Sequence, residues 1–388
     1  MGRIKLKKQF TIDLLLICLL PVTVYLYQSS QWNFVVFDSS RADRLLTLRN
    51  ITLVIYAFIF LLNVVSWKYS KLQLMLIALF IVFFIILTIQ TSDSQDLSQF
   101  FLLTYLALIV LYKDFDYGKV IKIVAISFLV VSICALLLSL IKVLSINIGI
   151  QPQRIRYGLA YPGGSYNSFS IIFLYFCLYY VYTRNIHISI IEILLLLVIN
   201  FLLFYLVSSR STFLMVSFVI IISILLKFNK KFMIYSKMHS FVLLLTPLLV
   251  SVLSIVLAVF YDENLPFMQK VDSLLSGRLR LSNNAIYNFR LTFLGRQIEF
   301  ITSGNMYDII DNSYLRIMFK YGVVLFLVVI VFLIYFSVLI NRNKDIYLFY
   351  IFLFSTIHCF VSLDLSTLFF DYLLFVWSYK NSIAKRYL

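Results

Sequence analysis

The sequence predicts an all-α, polytopic integral membrane protein, and three observations carry that prediction. Of the 388 residues 62% are apolar and only 13% are charged, against roughly 45–50% and about 25% in soluble domains. Mean hydropathy is +0.97. Apolar runs recur along the chain near the ~20-residue length that carries a helix across a bilayer, while the alternating ten-residue segments of a membrane barrel are absent.

Twelve spans are expected, at about 10–27, 50–66, 72–90, 99–112, 119–146, 165–183, 187–206, 212–227, 240–260, 313–340, 346–362 and 364–379. The first follows the basic stretch MGRIKLKKQF and lacks a small-residue cleavage site behind it, so it reads as a retained span rather than a signal peptide. Residues 28–49 read equally as a loop or a re-entrant segment. No soluble domain and no internal repeat interrupts the series, so 1–388 is expected to form a single transmembrane domain. Its one large extracytoplasmic loop is 261–312. Cys18, Cys134, Cys177 and Cys359 lie inside apolar runs without CxxC spacing and read as small core hydrophobes. His187, His239 and His358 are scattered, and no metal or other cofactor is expected.

Charge sets the orientation. With both termini cytoplasmic, the inner segments hold 19 of the 33 Lys and Arg residues, while the outer loop TSDSQDLSQ holds none, in accord with the positive-inside rule. Residue type adds a second asymmetry: the inner cations are 15 Lys and 4 Arg, and the remaining 14 are 11 Arg and 3 Lys. Lysine suffices for anchoring to anionic lipid. Arginine offers a planar fork that grips phosphate or carboxylate through two hydrogen bonds and keeps its charge when partly buried. Its concentration outside points to recognition of an anion. No nucleic-acid partner is expected, and the compartment is the cytoplasmic membrane.

Three outer regions carry these arginines. In NIGIQPQRIRYGLAYPGG (147–164), Arg154 and Arg156 on an extended segment would share one face. In VSSRST, Arg210 stands between two long apolar runs with too little flanking chain to escape the membrane boundary, where ionisable groups are paired or functional. In SGRLRLSNNAIYNFRLTFLGRQIEF (276–300), Arg278, Arg280, Arg290 and Arg296 crowd into one stretch, which reads as partly helical and lying along the membrane. Arg278 and Arg280 read as site residues; Arg290 and Arg296 stand evenly between a site role and a plain one. Arg41, Arg44 and Arg49 read as snorkelling cations at span ends. An anion delivered by the membrane itself, such as a lipid-linked pyrophosphate, suits external arginines at headgroup depth, and the same cations would stabilise that pyrophosphate as it leaves. No DxD-like metal motif lies on the outer face.

Three stretches together resemble the Wzy-type polysaccharide polymerases of the O-antigen polymerase/ligase superfamily. They are SSRSTFL (208–214), SGRLRLSNNAIYNF through Gly295, and DNSYLRIMFKYGVV (311–324). The resemblance implies a GT-C-like glycosyltransferase architecture. It also implies transfer of a glycan growing on undecaprenyl pyrophosphate onto a new lipid-linked repeat unit, without metal, at the outer face of the cytoplasmic membrane. Arg210 and Arg278 would contact pyrophosphate, with Arg280 adjacent; Arg290, Arg154, Arg156, Asn312 and Tyr314 complete the substrate-binding set. Where the ligase branch of the superfamily carries a His, this chain has Asp311, which favours polymerase over ligase. Asp311 is then either the base that takes the acceptor hydroxyl's proton or the N-cap of the tenth span. A flippase and a chain-length regulator are the protein partners implied, beside membrane lipid. An AT-rich, Gram-positive source making a capsule or wall polymer is the expected setting. The rival reading is a lipid-linked oligosaccharide flippase, against which stand the single long external loop and the absence of two related halves.

Overall fold

A computed structural model of the chain describes strand backbone at 147–151 and 154–158, residues 168–229, 234–296, 298 and 310–362, and scattered helical positions between 126 and 137. The expected spans 10–27, 50–66, 72–90, 99–112 and 364–379, and the segment 28–49, lie outside the described residues, as does most of 119–146. The described chain is mostly helical. Four helices are long and apolar enough to cross a membrane, and many of their apolar side chains, among them Leu194, Phe201, Phe218, Leu249 and Val331, are exposed, as lipid-facing residues are.

The chain divides into two compact units, each described by itself. The first includes 103–233. It opens with an antiparallel ribbon, β1 (Asn147–Gln151) and β2 (Arg154–Gly158), in which Gln151 pairs with Arg154 and Gly149 with Arg156. This ribbon is an exception to the all-α expectation, and it realises the extended Arg-x-Arg segment. Then come α1 (Ser168–Arg184), α2 (Ile190–Val207) and α3 (Arg210–Phe228). Helix α2 starts on a capping box in which Ser189 Oγ accepts from Glu192 N and Glu192 accepts from Ser189 N, satisfying donors that a helix start leaves open. Only Ser208 and Ser209 separate α2 from α3, and Ser208 takes a left-handed conformation (φ 56°) to make the reversal. Buried Asn200 of α2 donates to Phe213 O and Ser217 Oγ of α3, both at 3.1 Å. Thr212 of α3 donates to Ser170 of α1 at 3.1 Å. Polar contacts of this kind fasten helices where no water competes.

The second unit includes 234–376. Its members are α4 (Lys237–Val259), α5 (Pro266–Leu274), α6 (Arg278–Asn288), α7 (Ser313–Lys320), α8 (Gly322–Asn343) and α9 (Ile346–His358). Small polar residues of α4, Ser251 and Ser254, are buried with Ala258. The Ser254 hydroxyl accepts from Asn312 Nδ2 at 3.0 Å, and Ser240 bonds Asn341 of α8. Helix α9 is capped by Asp345, whose Oδ1 accepts from Leu348 N, and its C-terminal end holds the start of α7 through Tyr314 Oη to Thr356 O and Ser313 N to Cys359 O.

One expected span is corrected. Residues 313–340 are not one helix: Tyr321 ends α7, and Gly322 begins α8 with φ +88°, a backbone conformation that no helix propagates. Helix α8 alone, at 22 residues, is about 33 Å long, enough to cross the hydrocarbon core. Helix α7 is instead buried along nearly its whole length within its unit.

Candidate functional site

The arginine-rich stretch supplies the turn after α5, the whole of α6, and described residues beyond Asn288 that are not helical. After α5, Ser276 (φ 59°) and Gly277 (φ 82°) take successive left-handed conformations and reverse the chain, fastened by Gly277 N to Asp272 O at 2.8 Å. A Cβ on Gly277 would meet nothing nearer than Arg280 Nη2 at 3.9 Å, so conformation rather than space selects glycine there. Gly277 has no side chain with which to cap α6. Buried Asp272 does the capping instead: its Oδ1 accepts from Leu279 N at 2.8 Å and Arg280 N at 3.1 Å. It also offsets the two cations, Arg278 and Arg280, that open the helix against its own dipole.

Asp272 is the residue the sequence reading missed. It lies just before the arginine stretch and is the capping acid of α6. Tyr261 belongs to the same group, its phenol held above the ordinary value first by burial and then by the Asp272 charge, with Arg280 opposing. Asn283 ties α6 to the end of α4 by donating to Ala258 O at 2.8 Å, one of the carbonyls a helix end leaves open.

Arg278 and Asp311, far apart in the loop's sequence, come together. Arg278 Nε lies 3.6 Å from Asp311 Oδ2, with side chains 15% and 33% exposed. At that distance the contact is an ion pair rather than a hydrogen bond. Arg278 Nη1 donates to Leu275 O at 3.3 Å, and its buried Nε makes no hydrogen bond. A guanidinium has five N–H donors, so this one retains capacity for a further anion.

The two alternatives for Asp311 now separate. The N-cap of α7 is Asn312, whose side chain accepts from Tyr314 N and Leu315 N; Asp311 stands one residue ahead of the cap with its carboxylate toward Arg278. Asn312 and Tyr314 are themselves buried, Asn312 through its cap and its bond to Ser254, Tyr314 through its bond to Thr356 O. Neither faces solvent as a sugar contact would.

The other arginines are placed as follows. Arg280 and Arg290 are exposed, Arg280 in the first turn of α6 and Arg290 just beyond its end. The Arg296 guanidinium lies over the Phe289 ring, 5.4 Å from its centroid, in cation–π geometry, and its backbone N donates to Lys320 O at 3.0 Å. Arg210, in the first unit, is exposed at the first position of α3, behind the N-cap Ser209. Arg154 and Arg156 lie two apart on β2, positions that share a face in a strand. His358 is buried at the end of α9, the same end that holds Ser313 and Tyr314. Among the described residues, no three His, Cys, Asp or Glu side chains group as metal ligands would.

Chemically, the second unit combines a mostly buried guanidinium, a partly exposed carboxylate paired with it, and exposed arginines on the same loop. Such a set can hold an anionic group and accept a proton beside it. Comparison with known proteins finds no family model, no curated protein and no solved structure that matches this chain.

Proposed function

We propose that this protein polymerises lipid-linked oligosaccharide repeat units at the outer face of the cytoplasmic membrane. In this reading a hydroxyl of the incoming repeat unit attacks the anomeric carbon of the glycan carried on polyprenyl pyrophosphate. The carbon–oxygen bond to phosphate breaks, the configuration inverts, and polyprenyl pyrophosphate leaves. Asp311 takes the proton of the attacking hydroxyl. Arg278, with Arg280 beside it, stabilises the charge that accumulates on the leaving pyrophosphate.

The observation that supports this most is the Arg278–Asp311 pair. A cation suited to a phosphate leaving group stands against a carboxylate suited to an acceptor proton, within the loop that joins α4 to α8. The Arg-for-Lys bias outside and the resemblance of the three stretches to Wzy-type polymerases support it independently. The test is incubation of the purified protein with lipid-linked repeat units. A ladder of lengthening glycans is expected; passage of the substrate across a liposome without elongation identifies a flippase and overturns the proposal.

A further inference from the structure

Between Gly277 and Val324 two passes of the chain run side by side. At one end Arg278 pairs with Asp311. Further along, the rings of Phe289 and Phe319 approach to 6.5 Å. At the far end Arg296 N donates to Lys320 O at 3.0 Å, while Thr292 O and Phe293 O accept from Val323 N at 3.0 Å and Val324 N at 3.1 Å. The last two donors belong to the first turn of α8, where intrahelical partners are lacking, so the loop itself completes the start of a spanning helix.

At this far end the two passes cross glycine on glycine. A Cβ on Gly295 would lie 2.5 Å from Lys320 O and 2.8 Å from Tyr321 Cα; a Cβ on Gly322 would lie 2.7 Å from the Leu294 carbonyl carbon and closer still to Gly295 N and Phe293 O. The obstruction is backbone on both sides, which cannot swing away as a side-chain tip does. Both glycines also have positive φ, +91° and +88°. Sliding either pass by one residue would bring Leu294, Arg296, Tyr321 or Val323 into a contact that has no room for a Cβ, so a single register is open.

We propose that Gly295 and Gly322 are positioning residues of the candidate site: their crossing locks the two passes in register and so holds Arg278 against Asp311, a role whose consequence for catalysis rests on the function proposed above. Backbone bonds from the first turn of α8 to Thr292 and Phe293 thereby help to set the geometry of the loop.

The lock is tested without substrate. In the full-length protein in membrane vesicles, Arg278→Cys with Asp311→Cys is cross-linked by a short bismaleimide, and Ser240→Cys with Asn341→Cys, across α4 and α8, serves as the reference pair. Removing the ion pair takes away the direct contact between the two positions, while the bonds of α6 and Asn312 to α4 stay in place, so a change of rate on adding a glycine substitution reports the crossing. Adding Gly322→Ala, or separately Gly295→Ala, is expected to slow the 278–311 cross-link about fivefold or more while the reference rate holds. An unchanged 278–311 rate overturns the proposal. So does a parallel fall of both rates, which would make the glycines supports of the whole unit rather than of the loop register. Loss of the lock is thus read separately from failure of glycan elongation.

Discussion

Gly277-Arg278 and Gly295-Arg296 repeat one dipeptide near the two ends of the arginine stretch, and the structure uses each glycine and each arginine differently. At Gly277 the space for a side chain is open and the backbone angle is what requires glycine; at Gly295 backbone atoms of Lys320 and Tyr321 occupy the space. Arg278 faces a carboxylate, whereas Arg296 lies on an aromatic ring. The first pair sets a mostly buried cation against a partly exposed carboxylate, and the second fastens the loop to the start of α8. A motif read as letters cannot tell these apart, because the difference lies in which residues pack opposite.

Substitutions can break that comparison, and the largest effects are expected at the charged pair. Asp311→Asn keeps shape and removes the base, so elongation should fall by about 10²–10⁴, read as loss of the glycan ladder; a neighbouring Asn312→Ala should instead cost about 1 kcal/mol of stability through the lost cap. Arg278→Ala should reduce elongation by roughly 10²–10³, the scale of removing one donor from a developing anion. It should barely move the thermal unfolding midpoint, since the carboxylate left behind is a third exposed and can be solvated. Equal ladder loss in Arg296→Ala would erase the distinction between the two arginines.

Glycine replacements sharpen the same contrast at smaller amplitude. Asparagine tolerates positive φ yet carries a Cβ. Gly277→Asn should therefore be nearly neutral, whereas Gly322→Asn should destabilise by about 1–3 kcal/mol through overpacking, seen as earlier loss of helicity on heating in detergent. A small effect is expected at Arg296, where Arg296→Ala should lose about 0.5–1 kcal/mol with its aromatic contact and leave the ladder intact.

How much of this was legible in the sequence follows from the kind of signal each feature leaves. Helices α2, α3 and α4 were expected at 187–206, 212–227 and 240–260 and stand within a few residues of those bounds, because long apolar runs set span positions directly. The break at Gly322 left a signal that the expected span passed over: α7 carries Arg316 and Lys320 among its eight residues, whereas α8 is apolar through most of its length. The cap of α7 was misplaced by one residue as an alternative because Asp and Asn are equally good caps; only the bonds from Tyr314 N and Leu315 N decide for Asn312. Asp272 was missed because it caps α6 across a turn rather than from the adjacent position. The meeting of Arg278 with Asp311 joins residues far apart in sequence, and composition does not record such a contact.

The most direct test of the account is exchange of the central pair, Arg278→Asp combined with Asp311→Arg, assayed for both thermal stability and elongation of purified lipid-linked repeat units. If the cation serves the pyrophosphate and the carboxylate serves the acceptor, the exchanged protein should keep the stability of the original and still make no product longer than a single repeat unit. Recovery of the full ladder together with stability would show that the pair is only an ion pair holding the loop, and would contradict the account.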